Sequence, residues 1–211
     1  MKNKIVYFLS VYAVILVLFR VYYTNSIFYG FMLWNLILAF IPFLITEILP
    51  LQNKNLLWLL FPVWLLFLPN APYLLTDIFH LKQGTAMPMW YDLLLLVTFS
   101  INGLFLYFSS LKRMFELIWI NYSVKTATFL IYFAIFLSSF GVYLGRYLRW
   151  NSWEIVQEPY ALFQDIFNRI ANPHEHPGTW GITIGYSILF GMLFWFLNNL
   201  KINTTFVKKD Y

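Results

Sequence analysis

Residues 56–81 read LLWLLFPVWLLFLPNAPYLLTDIFHL, an apolar run that passes directly into a polar segment. As a helix, residues 56–68 would extend about 20 Å at 1.5 Å per residue, which is short of the roughly 30 Å hydrocarbon core of a bilayer. Pro69 and Pro72 each remove a backbone donor, so the helix would break inside the membrane. The stretch therefore predicts a membrane-spanning helix that is broken at Pro69-Asn70.

Two interpretations of this break are open. Non-helical backbone at membrane depth is tolerated only where it is buried in protein or lines a wet cavity, so the opened turn could form the wall of a binding pocket, with Asn70 donating hydrogen bonds to a ligand. Alternatively, the break is an ordinary proline kink, and Asn70 satisfies the carbonyl groups that the prolines leave free.

The composition of the whole chain agrees with a membrane protein. Of its 211 residues, 61% are hydrophobic and 11% charged, whereas a soluble domain carries about 25% charged residues. The net charge of +5 does not indicate nucleic-acid binding, because the Lys and Arg residues are scattered between apolar runs and form no basic face. The absence of Cys excludes disulfides and thiolate metal sites.

Apolar runs long enough to cross a bilayer as helices occur six times. They predict an all-α, polytopic transmembrane helix bundle that forms a single membrane domain over residues 1–211. The six expected spans are residues 5–23, 27–49, 56–75, 91–111, 124–148 and 179–200. The first is expected to be a retained span and not a cleaved signal peptide, because its apolar run is long and no small-residue cleavage site follows it.

The distribution of Lys and Arg predicts the orientation. With both termini in the cytoplasm, nine of the 14 basic residues fall inside, in agreement with the positive-inside rule. These nine are Lys2, Lys4, Lys54, Lys112, Arg113, Lys125, Lys201, Lys208 and Lys209. Most of the acidic residues fall on the outer side, and only Glu47, Glu116 and Asp210 fall inside. We therefore expect both termini to lie in the cytoplasm.

Two connections between the spans are expected to be structured. The inner segment 111–122 mixes charged and apolar residues and predicts a short interfacial helix. In the outer loop, residues 149–178, a capping-box-like start at Asn151 and Glu154 precedes Pro159, which suits the first turn of a helix. That helix is amphipathic, and we expect it to lie on the outer membrane surface or to cap the bundle. Its apolar face comprises Tyr160, Phe163, Ile166, Phe167 and Ile170.

Ionisable side chains gather toward the outer end of the spans, and such residues are costly in a membrane and often functional. Asp77 and His80 share one face if residues 76–81 are helical, and Asp92 opens the fourth span. A neutral imidazole beside two carboxylates can act as a general base or a metal ligand. The alternative roles are structural, namely a helix cap for Asp77 and a first-turn acid for Asp92.

Arg146 and Arg149 end the fifth span, within GRYLRWNSWE at residues 145–154. At three-residue spacing they share a helical face, and outward-facing arginines run against the positive-inside bias. We expect them to pair with the carboxylates of Asp77 and Asp92 or with an anionic ligand such as a lipid phosphate. A purely structural ion-pair cluster is the alternative.

His174-Glu175-His176 resembles a metal-ligand cluster, and the spacing of its two histidines suits an extended strand. It has no third strong ligand in register, so any metal or other cofactor remains undetermined.

Four segments together resemble a known family. They are Trp34-Asn35, the FLPNAPYLLTDIFHL segment at residues 67–81, Trp90-Tyr91-Asp92 and GRYLRWNSW at residues 145–153. The chain is similar over most of its length to the bacterial membrane-protein family called domain of unknown function 1361. The resemblance implies a bacterial inner-membrane protein and no particular activity. The HEHPG segment lies outside the resembling pattern.

Three functions are compatible with these features. The first is a membrane-embedded enzyme or lipid-handling protein, with Asp77, His80, Asp92, Arg146 and Arg149 around an outward-facing pocket for a lipid headgroup. The second is a small-molecule or ion transporter, although the inner halves of the spans offer few polar groups beyond Glu47. The third is a non-catalytic assembly partner. The one-sided distribution of charge favours the first.

Overall fold

The computed structural model describes residues 2–81 and 86–207, with side chains described for residues 4–81 and 86–199. In these ranges the chain forms helices and no strand. The helices are α1 (Lys2–Thr24), α2 (Phe31–Ile48), α3 (Lys54–Phe67), α4 (Asn70–Thr76), α5 (Met89–Asn121), α6 (Val124–Tyr147), α7 (Glu154–Gln157), α8 (Pro159–Ala171) and α9 (Pro177–Val207). Four charged residues used in predicting the orientation lie outside the described residues, namely Lys82, Lys208, Lys209 and Asp210.

The predicted all-α fold is confirmed. Six helical segments of the described chain are long and apolar enough to cross a membrane. Large apolar side chains on these helices, such as Phe8, Leu59 and Phe129, are about 70% exposed. That pattern is expected where lipid is the solvent. The third candidate span, Lys54–His80, contains α3, α4 and a 3₁₀ turn, and it is interrupted at the predicted break.

The connection after the fourth span differs from the prediction. In place of a separate interfacial helix at residues 111–122, α5 continues without interruption to Asn121. Its 33 residues correspond to about 50 Å of helix, which is longer than the hydrocarbon core. The charged residues Lys112, Arg113 and Glu116 end the apolar run, but they are good helix formers, so they do not end the helix.

The residues pack into two compact units, Met1–Arg113 and Met114–Tyr211. In the first unit, buried polar side chains tie the helices together. The indole of Trp64 donates to the Ser110 hydroxyl at 2.8 Å, and that hydroxyl donates to the Pro42 carbonyl at 3.0 Å. Asn102 donates to the Ser10 hydroxyl at 2.8 Å. These contacts join α1, α2 and α3 to α5.

In the second unit, α6 packs against α9, and the predicted amphipathic helix α8 is present with Pro159 in its first turn. The backbone N–H of Asn151 donates to the Glu154 carboxylate, which is one half of the predicted capping box. Leu162 and Arg169 of α8 are buried, whereas four large apolar side chains of its other face are exposed. These exposed residues are Tyr160, Phe163, Phe167 and Ile170. Because the apolar face is not covered by protein, α8 suits a position in the membrane interface better than a cap over the bundle.

Candidate functional site

The break in the third span interrupts the helical hydrogen bonds and leaves the backbone in the α region, at φ −54° for Leu68 and −61° for Pro69. Pro72 has no N–H to give to the Leu68 carbonyl, so the Ala71 N–H bonds there at 3.4 Å. The Phe67 carbonyl thereby loses its usual donor. The Asn70 side-chain amide donates to it at 2.9 Å. This contact corresponds to the kink interpretation, in which Asn70 satisfies a freed carbonyl.

Beyond α4 the chain forms a 3₁₀ turn, Asp77–His80, which brings its first and last side chains together as the spacing predicts. Asp77 is fully buried, and the His80 side chain is 35% exposed. The His80 Nδ1 atom lies 3.7 Å from Asp77 Oδ1, and Asn35 donates to Asp77 Oδ2 at 3.1 Å. Asn35 therefore holds one oxygen of the carboxylate by a hydrogen bond, the other oxygen faces the imidazole beyond hydrogen-bond distance, and the imidazole reaches the surface of the first unit.

Asp92 forms an ion pair with Arg20, a partner that the sequence did not identify. Arg20 Nε and Nη2 donate to the two carboxylate oxygens at 2.7 and 3.1 Å, in a bidentate arrangement. The arginine is 3% exposed and the aspartate 0%. Within the described chain, the buried Nη1 atom of Arg20 has no hydrogen-bond partner. The pair joins the carboxyl-terminal part of α1, four residues before its end, to the first turn of α5.

Tyr29 links this ion pair to the Asp77–His80 turn. Its ring is fully buried, and the Arg20 guanidinium carbon lies 4.4 Å from the ring centroid. Its hydroxyl donates to the His80 carbonyl at 3.0 Å. Burial raises the pKa of Tyr29, and the Asp92 carboxylate adds to this rise while Arg20 opposes it. The phenol therefore stays protonated at neutral pH and keeps its hydrogen bond to the turn.

The two remaining predicted site residues, Arg146 and Arg149, belong to the second unit. The prediction that they share a helical face is wrong, because α6 ends at Tyr147 and Arg149 adopts a left-handed backbone with φ 64°. The Trp150 N–H closes this helix end onto the Leu144 carbonyl, six residues back, at 3.1 Å. The arginine that pairs with Asp92 is Arg20. The pairing of Arg146 or Arg149 with Asp77 stays a prediction.

The histidine pair in the outer loop also differs from its predicted conformation. Residues Pro173–Glu175 form a 3₁₀ turn in place of an extended strand, and His174 is exposed. In the part of the chain that the structure describes, no group of three or more His, Cys, Asp or Glu side chains could hold a metal ion.

Fold and site together define a six-span helical membrane protein whose first unit contains a polar network. It comprises the buried residues Arg20, Tyr29, Asp77 and Asp92 and the partly buried Asn35, with His80 at its edge. The family model described as "Protein of unknown function (DUF1361)" matches residues 34–196, well over half of the chain, and the chain belongs to that family. The predicted resemblance is thus confirmed. Comparisons with curated proteins and with solved structures found no match.

The matched range separates the network into two parts. Four residues of the network lie inside the matched range 34–196, namely Asn35, Asp77, His80 and Asp92, whereas Arg20 and Tyr29 precede this range. No local signal marks Tyr29 among the 15 tyrosines of the chain. Arg20 carried a weak signal, because a buried cation at the end of one span needs a carboxylate at the same end of another.

Proposed function

We propose that this chain binds the polar headgroup of a membrane lipid at the edge of the first-unit network and catalyses a reaction of that headgroup, in which His80 accepts the proton of a headgroup hydroxyl or amine. The observation that carries this proposal is the contrast between Asp77, which is fully buried, and His80, whose side chain is 35% exposed beside it. A buried carboxylate that orients an accessible imidazole is a common arrangement for general acid–base chemistry.

The geometry assigns separate roles to the two carboxylates. Asp77 accepts from Asn35 through one oxygen and faces His80 Nδ1 with the other. A shortening of the 3.7 Å separation in the ligand-bound state would hold a proton on Nδ1 and leave Nε2 as the acceptor. Asp92 is committed to Arg20 on both oxygens. We therefore assign Asp92 to the structure of the site and Asp77 to positioning His80.

The chemistry of His80 favours a particular kind of headgroup. A neutral imidazole accepts a proton through its unprotonated ring nitrogen. Such a site suits a headgroup that brings a hydroxyl or amine proton to His80. A headgroup phosphate would require a further cation beside His80.

The headgroup experiment compares three versions of the protein, the wild type, His80→Gln and His174→Gln, each expressed in bacterial cells. His174 is an exposed histidine of the outer loop and serves as the matched control. We expect the wild type and His174→Gln to change the headgroup composition of membrane lipids, measured by mass spectrometry. The change caused by His80→Gln should be smaller than that caused by the wild type by about 10²-fold or more, because this variant lacks the proton acceptor. A wild type without any lipid effect, or a fully active His80→Gln, would overturn the proposal.

We further propose that the site faces the outside of a bacterial cytoplasmic membrane, with both termini in the cytoplasm. The bias of Lys and Arg toward the opposite loops supports this orientation. The chain contains no Cys, so a His80→Cys variant carries a single reactive thiol. We expect an impermeant maleimide to label it in intact spheroplasts. Labelling that occurs only after the membrane is opened would contradict the orientation.

A further inference from the structure

Three polar groups are buried without a hydrogen-bond partner at the start of α9, far along the chain from the first-unit network. Among the side chains that the structure describes, none bonds to His176 Nε2, Thr179 Oγ1 or Thr183 Oγ1. Both threonines are 0% exposed. A buried polar atom without a partner costs free energy comparable to a lost hydrogen bond, so this cluster requires an explanation.

The two threonine hydroxyls depart from the behaviour of other hydroxyls in the second unit. Ser139 donates to the Ile135 carbonyl at 2.8 Å, Thr128 to Val124 at 2.8 Å and Ser187 to Thr183 at 2.6 Å, each one turn back along its own helix. This local bond is the usual solution for Ser and Thr in a helix. The Thr183 hydroxyl has the Thr179 carbonyl at the same spacing and does not bond to it.

The helix geometry places the two threonines together. Thr179 and Thr183 are four positions apart, so they share one face of α9 near its amino-terminal end, and His176 directly precedes the helix. This end of α9 begins at Pro177 and carries the positive pole of a 31-residue helix dipole. Such a pole favours negative charge. The cluster therefore combines a helix terminus with unpartnered hydroxyl donors.

The last turn of α8, which contains Arg169, lies against this helix end. The Trp180 indole donates to the Arg169 carbonyl at 3.1 Å, which holds the last turn of α8 against the first turn of α9. Arg169 is 8% exposed, and its Nη1 donates to the backbone and side chain of Asp165 at 2.8 and 3.2 Å. Within the described residues its buried Nε–H has no acceptor. The groups that lack partners include one N–H and two hydroxyls, all of which can donate.

We propose that the second unit binds an anionic oxygen, of a phosphate or carboxylate, among Arg169, His176, Thr179 and Thr183 at the amino-terminal end of α9. The hydroxyls and the guanidinium Nε–H donate to the anion, and the helix dipole stabilises its charge. The site is separate in sequence and in unit from the one proposed around His80, and it stands whether or not that proposal does. The anion belongs to a lipid headgroup or to free phosphate.

The experiment measures thermal unfolding of the full chain in uncharged detergent micelles, with sodium phosphate or phosphatidylglycerol as the probe and sodium chloride at matched ionic strength as the reference. We expect at least one probe to raise the unfolding midpoint of the wild type by about 2–4 °C. Stabilisation by phosphatidylglycerol alone identifies a headgroup site, and stabilisation by phosphate also identifies a site for the free anion.

The Thr179→Val, Thr183→Val double variant keeps the side-chain shape and removes both hydroxyls. We expect it to unfold at or above the wild-type midpoint without a probe, because an unpartnered buried hydroxyl is lost, and to show no response to either probe. Thr128→Val is the matched control, because its hydroxyl is already bonded, and it should respond as the wild type does. A wild type that responds to neither probe overturns the proposal regardless of how the variants fold. An equal response of the double variant also overturns it.

Discussion

Replacing Asp92 with alanine is expected to destabilise the protein by about 3–5 kcal/mol, the largest stability effect that the structure predicts. Arg20 is 3% exposed and gives two hydrogen bonds to this carboxylate. Without Asp92 its charge would remain buried beside the rings of Tyr29 and Phe28, whose centroids lie 4.4 and 5.9 Å from the guanidinium carbon. A cation–π contact offsets only a small part of that cost, about 1–2 kcal/mol. Thermal unfolding in detergent should show a midpoint lower by about 6–20 °C.

The control for this prediction is a double variant, Arg20→Met with Asp92→Leu, which removes both charges and keeps similar volumes. Because a buried ion pair that is replaced as a whole by apolar residues costs little, we expect the double variant to regain most of the stability that Asp92→Ala loses. A double variant as unstable as the single one would show that the side chains matter for more than their charges. An Asp92→Ala protein as stable as the wild type would contradict the burial of the pair.

The spans could be predicted from the sequence because the bilayer fixes their length and every backbone group must be bonded within a helix. Helix α6, the fifth span, illustrates this: residues 124–148 were expected, and the helix runs over Val124–Tyr147. Its start is also a local feature, since the Ser123 hydroxyl accepts from the Thr126 N–H at 3.1 Å. The extension of α5 to Asn121 was missed because charge ends an apolar run without ending a helix.

The candidate site was predictable only where its contacts are local. Asp77 and His80 lie three residues apart, and one turn of helix brings them together. The Arg20–Asp92 pair spans 72 residues, and a sequence with several arginines at span ends does not say which of them meets a given carboxylate. The sequence favoured Arg146 and Arg149 as the partners of the carboxylates because outward-facing arginines run against the positive-inside bias. Helix packing decides such pairings, and it is not encoded in spacing.

Gly103 is the position where a single added methyl group is expected to disturb the site most. It lies on α5, which passes so close to α4 that a Cβ atom at residue 103 would meet the Ala71 carbonyl oxygen and approach Leu74 Cβ to 3.0 Å. One turn earlier on α5, the Ser100 hydroxyl donates to the Leu74 carbonyl at 3.1 Å. The glycine therefore permits the close approach that holds α4 in place. Gly103→Ala forces the two helices apart, because neither a backbone carbonyl nor a Cβ atom can rotate away.

We expect Gly103→Ala to cost about 1–3 kcal/mol of stability, even though alanine favours a helix over glycine by about 1 kcal/mol. Gly185→Ala is the matched control, because a Cβ atom at residue 185 of α9 would have no atom within 4 Å; it should be neutral or slightly stabilising. Since α4 leads directly into the Asp77–His80 turn, a displaced α4 should also weaken the bond from Asn35 to Asp77. Gly103→Ala should therefore lose the headgroup activity proposed for His80, while Gly185→Ala retains it. A Gly103→Ala protein with wild-type stability would show that α4 does not rest on α5 at this point.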